Sequence, residues 1–145
     1  QTVRTGTDVE LNAKPSRSTQ IWAGASFQKA EILSTGKEVD HVPRRIYTLG
    51  IHQKFNDTWR GSASLTGQSS YFIDSTNPEK TGAYTGINTL VGYTINATMD
   101  MDFQIRNLTN RLSLYSYDNV YVGSPGNFYA ANMPRSAFLT FSMKL

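Results

Sequence analysis

The chain has 145 residues, 39% of them hydrophobic and 12% aromatic, no cysteine, and a formal net charge of +3. This length fits one domain or a piece of a larger one, and the missing cysteine excludes disulfides and thiolate metal sites. Lys and Arg are scattered and build no polybasic run, so nothing points to a nucleic-acid partner. No apolar run approaches the roughly 18 residues that a membrane helix needs. The opening QTVRTGTDVE is polar and has no apolar stretch of the kind a signal peptide carries.

Apolar and polar residues alternate with a period of two, the pattern of strands with two unlike faces. Seven strands are predicted. The first covers residues 7–14, with Val9, Leu11 and Ala13 opposite Asp8, Glu10, Asn12 and Lys14. The second, 19–30, aligns Ile21, Ala23, Ala25 and Phe27. The third, 44–55, aligns Tyr47, Leu49, Ile51 and Phe55. The fourth, 59–72, has an unbroken polar face from Arg60 through Ser62, Ser64, Thr66 and Gln68 to Ser70. The fifth, 84–95, carries Ile87, Val91, Tyr93 and Ile95. The sixth, 99–107, sets Met99, Met101, Phe103 and Ile105 against Asp100, Asp102, Gln104 and Arg106. The seventh, 133–145, closes the chain, with Ala137, Leu139, Phe141, Met143 and Leu145 on its apolar face. Taken alone, this last stretch suits the closing strand of an outer-membrane barrel and a strand of a soluble sandwich equally well.

Several of these strands exceed the mode of about 5–6 residues for globular sheets and reach the roughly 9–11 of tilted membrane strands. Connections alternate strictly. Short turns at 15–18, 56–58 and 96–98 interleave with long polar connections at 31–43, 73–83 and 108–135. Transmembrane barrels alternate short periplasmic turns with long extracellular loops in this way. Phe55, Trp59 and Tyr93 stand near short turns, and Tyr47, Tyr71, Phe72 and Tyr84 near long connections, where aromatic girdles would lie. Seven is an odd count, whereas bacterial single-chain barrels have even ones. Either an eighth strand is hidden near 119–122, or the chain is a fragment of a larger barrel.

The residues resemble a family, the C-terminal part of TonB-dependent outer-membrane receptors, in particular siderophore receptors. TGTDVELNAKPS and WAGASFQKAEI are similar to two successive strands of that family. HVPRRIYTLGIHQKF is similar to its proline-started strand after a long loop, GYTINATMDMDFQIRNLTNR to its penultimate hairpin, and PRSAFLTFSMKL to its final strand. Two positions depart from the pattern: Leu145 stands where the family usually ends in Phe, and Leu112 where an aromatic often follows NLTNR. The resemblance implies an all-β antiparallel transmembrane barrel of 22 strands, of which this chain supplies the last seven. It implies a bacterial outer-membrane location and a role in TonB-dependent uptake of a ferric siderophore or similar metal chelate. The implied partners are an N-terminal plug and earlier barrel strands of the same receptor, TonB itself, the barrel-assembly machinery acting on the C-terminal strand, lipid and lipopolysaccharide. The alternative is a self-contained eight-stranded barrel with a structural or adhesive role.

No catalytic constellation, cofactor motif or metal site is predicted. His41 and His52 have no acidic cluster beside them. Asp100 and Asp102 read as interior residues pairing with Arg106 or Arg60, and the N-x-[ST] triplets at Asn56, Asn96 and Asn107 as turn and strand-end residues. Candidate ligand-binding residues lie in the long connections. Tyr115, Tyr117, Tyr121, Phe128 and Tyr129 form an aromatic, glycine-containing group that equally suits a rim cover. Arg44 and Arg45 suit carboxylate, catecholate or phosphate, and equally a loop carboxylate or lipid phosphate.

Overall fold

A computed structural model describes residues 1–74, 76, 79–117 and 128–144, and at 115–117 and 128–129 the backbone alone. Every regular element among the described residues is a strand: β1 (Thr2–Ser16), β2 (Thr19–Ile32), β3 (Lys37–Glu38), β4 (Arg45–Lys54), β5 (Trp59–Gln68), β6 (Tyr71–Phe72), β7 (Lys80–Thr81), β8 (Tyr84–Thr94), β9 (Met99–Arg106), β10 (Leu114–Tyr117), β11 (Phe128–Ala131) and β12 (Ser136–Met143). The seven predicted strands are all present and form one antiparallel meander in the order β1-β2-β4-β5-β8-β9-β12. The five short strands all lie in the long connections. β3 pairs with β2, β6 with β7, and β10 with β11. The sheet does not close on itself. Among the described residues β1 pairs only with β2, and β12 only with β9.

The register keeps one phase throughout. Along the main sheet each pair joins two odd-numbered or two even-numbered residues, as in Leu11↔Ala23, Ala23↔Leu49, Leu49↔Leu65, Leu65↔Ile87, Val91↔Phe103 and Phe103↔Leu139. The exception is Ser16↔Thr19, beyond a bulge at the first short turn. Paired residues share a face and neighbours along a strand alternate. All seven strands therefore present odd residues on one side and even residues on the other. The odd face is apolar and bare, with Leu49 51% and Phe141 63% exposed. The even face carries Asp8, Glu10, Gln20, Ser62, Thr66 and Asp102 among others.

The sheet is a single layer. Its surface is 10070 Å², where a soluble monomer of 16.2 kDa would show about 7,500 Å². Among the described residues the buried hydrophobics are Ala30, Tyr71 and Ile73, all at the long-connection end. Among the described residues no core lies under the strands, so the apolar odd face needs a partner outside the sheet.

On the even face, Arg60 of β5 reaches across one strand, β8, to β9. Its Nη2 donates to Asp102 Oδ1 at 2.8 Å and its Nη1 to Asp100 Oδ1 at 3.0 Å. Gly92 of β8 stands directly between, paired with Arg60 on one side and Asp102 on the other. A Cβ at Gly92 would lie 2.5 Å from both Arg60 Nε and Asp102 Oδ1, so the bridge exists because that position is glycine. This is the Arg60 pairing read from the sequence. Arg106 instead bonds Gln104 and covers the Phe138 ring.

The second and third short turns are built by asparagine. Asn56 Oδ1 accepts from the N–H groups of Thr58 and Trp59 at 2.8 and 2.7 Å. Asn96 Oδ1 accepts from the Thr98 N–H and hydroxyl at 2.9 and 3.0 Å. Side-chain acceptors of this kind close turns that the backbone alone would leave unsatisfied.

Several strand ends differ from expectation. β1 begins at Thr2 because β2 runs on to Ile32 and supplies partners. β5 stops at Gln68 rather than residue 72, since Tyr71 and Phe72 peel away to pair with Thr81 and Lys80. β12 begins at Ser136, because residues 133–135 are held by asparagines of the preceding connection. The girdle reading holds at the short turns, where Trp59 and Tyr93 are paired on the odd face with rings 4.7 Å apart. It fails for Tyr71, which is buried in the rim, for Phe72, which lies under Lys80, and for Tyr84, which is on the even face. The possible strand near 119–122 and the terminal Leu145 lie outside the described residues.

A bare apolar odd face predicts a sided response to charge when the sheet is placed in lipid. Leu49→Arg should lower stability by about 2–4 kcal/mol in lipid-reconstituted protein unfolded with guanidinium, whereas Thr48→Arg on the even face should change it little. Equal small effects at both positions would fit a sheet that meets water on both sides.

Candidate functional site at the long-connection rim

A meander places its three long connections at one end, and here they are joined to one another. The first and second meet where the His41 N–H donates to the Phe72 carbonyl at 2.9 Å, and the His41 and Tyr71 rings stand 5.4 Å apart. Lys37 Nζ adds a bond to the Thr76 carbonyl at 2.8 Å. The second and third meet where Thr81 Oγ1 donates to the Leu114 carbonyl at 3.3 Å. Tyr71 lies against Gly82, whose φ of 81° and missing side chain let the ring sit on the backbone. Ile73 is 1% exposed beneath this layer. The consecutive apolar run Tyr71-Phe72-Ile73 cannot alternate, so it leaves the sheet and forms a small core for the rim.

The third connection is clasped at its base by three asparagines. Asn107, 8% exposed and at φ 51°, donates through Nδ2 to the Arg111 and Met133 carbonyls, both at 3.0 Å. Its Oδ1 accepts the Arg111 N–H at 3.1 Å, and its own N–H donates to Asn88 Oδ1 of β8 at 3.1 Å. Asn132 Oδ1 accepts the Ser113 N–H at 2.7 Å and its Nδ2 donates to Arg111 at 3.1 Å. Asn110, also at positive φ, accepts the Arg135 N–H at 3.0 Å. The outgoing and returning chains are thus locked together before β10 and β11 begin.

Of the sequence-predicted residues, Tyr115, Tyr117, Phe128 and Tyr129 fall in the β10–β11 hairpin, with Tyr117 opposite Phe128 and Tyr115 opposite Ala130 in the register. Tyr121 lies outside the described residues. Arg44 and Arg45 stand at the start of β4, with β5 and β8 between them and β9, so they and the hairpin occupy separate parts of the rim. Arg44 is engaged by a loop carboxylate. Its Nε donates to Glu38 Oε2 at 2.9 Å and its Nη2 to Oε1 at 2.6 Å. This fork holds the Glu38 carboxyl below its usual range and raises Arg44. Arg45 is on the odd face opposite Phe27. On the closing strand, Ala137, Leu139, Phe141 and Met143 pair with Ile105, Phe103, Met101 and Met99, all on the odd face. The clasp was not identified as a site in the sequence. Its visible signal is the asparagine-rich NLTNR segment, since asparagine tolerates positive φ and bonds nearby backbone. Among the described residues no group of three or more His, Asp and Glu is gathered that could hold a metal ion.

No family model matches the sequence, and no curated protein does. Solved structures match closely in shape. The ferric yersiniabactin uptake receptor FyuA from Yersinia pestis superposes with a TM-score of 0.86 at 16% identity, covering 98% of this chain and 23% of that one. The siderophore receptor PiuA from Acinetobacter baumannii gives 0.80 at 18%, covering 98% and 22%. The ferric-catecholate import receptor Fiu from E. coli K12 gives 0.77 at 22%, covering 95% and 20%. The chain thus spans between a fifth and a quarter of the length of these receptors. The shared feature is the fold, an all-β antiparallel arc of the kind that makes part of a large barrel wall.

Two measurements probe the rim. Asn107→Ala should destabilise the base of the third connection by roughly 2–4 kcal/mol, through lost bonds and an unfavourable positive φ. Asn107→Gly should lose only the bonds, and limited proteolysis within 108–135 should rank the two. For the Glu38–Arg44 fork, the folded Glu38 pKa lies below the ordinary glutamate value, so its stabilisation is whole above that ordinary value and fades as pH falls through the folded pKa. Proteolysis of residues 33–44 should therefore quicken in acid, and Glu38→Gln should remove part of that pH dependence.

Proposed function

We propose that this chain is part of an outer-membrane receptor for TonB-dependent uptake of a ferric siderophore or a similar metal chelate. The single observation behind this is a sheet with an apolar and a polar face in one phase across seven strands, whose fold matches siderophore receptors over nearly its whole length. In this reading the odd face meets lipid and the even face lines the lumen. The short turns face the periplasm and the long connections face outward. β1 and β12 pair with earlier strands of the same receptor, a plug occupies the lumen, and a segment beyond the plug contacts TonB. The assembly machinery engages the closing strand. The wall is structural and no catalytic role is assigned to it. Ligand contact falls to the rim, with the β10–β11 aromatics as first candidates and Arg44 available once Glu38 yields.

A self-contained eight-stranded barrel fits less well. β1 and β12 do not pair with each other, and each unpaired backbone group in lipid costs several kcal/mol.

The full-length protein that carries this chain should support uptake of a radiolabelled ferric siderophore in a receptor-deficient strain, and uptake should vanish when TonB is deleted. A full-length gene with its own leader directly ahead of Gln1, giving a stable outer-membrane protein that imports nothing, would overturn this reading.

A further inference from the structure

β8 and β9 part before β8 reaches the long-connection end. Their register stops at Thr89↔Ile105, and one further bond follows, from the Leu108 N–H to the Ile87 carbonyl at 2.8 Å. Beyond it, among the described residues, no strand lies beside this edge of β8 as far as Tyr84. A strand residue points its N–H and C=O to one side, and residues two apart point alike. Ile87 faces the β9 side, so the Thr85 N–H faces it too. Opposite runs the segment Arg111 to Ser113 of the third connection. Between them lies a pocket of about 200 Å³, lined by Gln68, Tyr84, Thr85, Arg111 and Ser113 and by no carboxylate. Gln68 and Tyr84 are paired residues of the even face, so the pocket belongs to the polar side of the wall.

The asparagine clasp fixes Arg111 by its backbone. The Arg111 N–H donates to Asn107 Oδ1, and its carbonyl accepts from Asn107 Nδ2 and Asn132 Nδ2. Ser113 is held by the same Asn132, whose Oδ1 accepts its N–H. Across the pocket the Gln68 amide is set by its bond to the Gly82 carbonyl at 2.9 Å. None of these contacts uses the Arg111 guanidinium, which makes no ion pair among the described residues. Arg106 is occupied by Gln104 and the Phe138 ring, and Lys80 by the Phe72 ring.

We propose that this pocket takes a free carboxylate arm of the metal chelate, and that Arg111 selects for it. The inference deepens the uptake reading and rests on it. Size, charge and donor geometry support it. About 200 Å³ is less than the roughly 300–1,000 Å³ of a pocket for a whole drug-sized ligand. It suits one arm of a chelate whose metal-bearing body stays outside. One guanidinium balances the single charge of a carboxylate, whereas a phosphate group brings nearly two. The planar fork donates to both carboxylate oxygens, and the Thr85 N–H and Ser113 hydroxyl line the same space as further donors. Because the clasp holds the backbone beneath Arg111 in advance, little ordering is left for the ligand to impose.

The test uses the full-length protein in detergent, with binding read by quenching of its tryptophan fluorescence. The carboxylate-bearing probes are ferric citrate, ferric aerobactin and N-succinyl ferrioxamine B. The carboxylate-free probes are ferrichrome, ferric enterobactin and N-acetyl ferrioxamine B. Wild type should bind at least one carboxylate-bearing probe, and within the ferrioxamine pair the succinyl form more tightly. Arg111→Gln, which leaves every clasp bond in place, should weaken that binding by about tenfold or more. Arg111→Lys should recover part of it, since the charge returns without the fork. Ala83→Phe, at the pocket wall, should weaken it with Arg111 intact, whereas Lys14→Gln near the first short turn should not. Heat-modified gel mobility confirms that each variant is folded. Equal binding by wild type and Arg111→Gln would overturn the proposal. So would preference for the carboxylate-free probes, equal loss in Lys14→Gln, or complete displacement of the chelates by millimolar acetate. Binding of no ferric chelate at all would defeat the uptake reading itself, whereas chelate binding without carboxylate preference would defeat this inference alone.

Discussion

The constraint on which the rest depends is the main-chain ladder and the phase it keeps. A one-layer sheet has no core to correct a misplaced strand. If β9 slid by a single residue, its apolar and polar sides would exchange, setting Asp102 beside Val91 and Leu139 and Asp100 beside Tyr93 and Phe141. Three features hold the register. Asparagine side chains close the second and third short turns. Arg60 ties three strands across the Gly92 gap. Small residues beneath large ones add shape, since Trp22 lies over Gly50 and Tyr47 over Gly67 with no room for a side chain at either glycine.

Wall and rim are built on different principles. The wall has little apolar burial of its own and relies on hydrogen bonds, cross-strand neighbours and whatever covers its odd face. The rim carries its own packed residues, Tyr71 and Ile73, and its own polar fastening at Asn107, Asn110 and Asn132. The clasp closes the third connection where it leaves β9, so strain in the β10–β11 hairpin is met by side-chain amides before it reaches the ladder.

The wall was legible in the sequence because a period of two is a local signal. All seven strands follow from such alternation, as in Arg60 to Gln68 and Met99 to Arg106, and Arg60 was one of the two cations read as partners of Asp100 and Asp102. What was not legible depends on residues far apart. Nothing in Tyr71-Phe72-Ile73 reveals that it turns away to lie against Gly82 and His41, so β5 was drawn too long and two aromatics were assigned to a girdle. Asn107 was read as a strand end, but its clasp needs Met133, 26 positions on. Arg44 and Arg45 read as twin loop cations. The strand phase separates them, turning one to Glu38 and the other to the apolar side.

The bulge at Ser16 and Thr19 bears on how such a chain can change length over evolution. There the first short turn absorbs a single unpaired step without disturbing the faces of β1 or β2. The turns at Asn56 and Asn96 have no such slack, because their side-chain bonds fix the spacing between strands. One added residue at either would have to create a new bulge or turn every later strand inside out. The long connections carry no such restriction, since their ends are anchored separately. Insertions and deletions of any size should therefore collect at one end of the sheet, leaving the other end nearly constant in length.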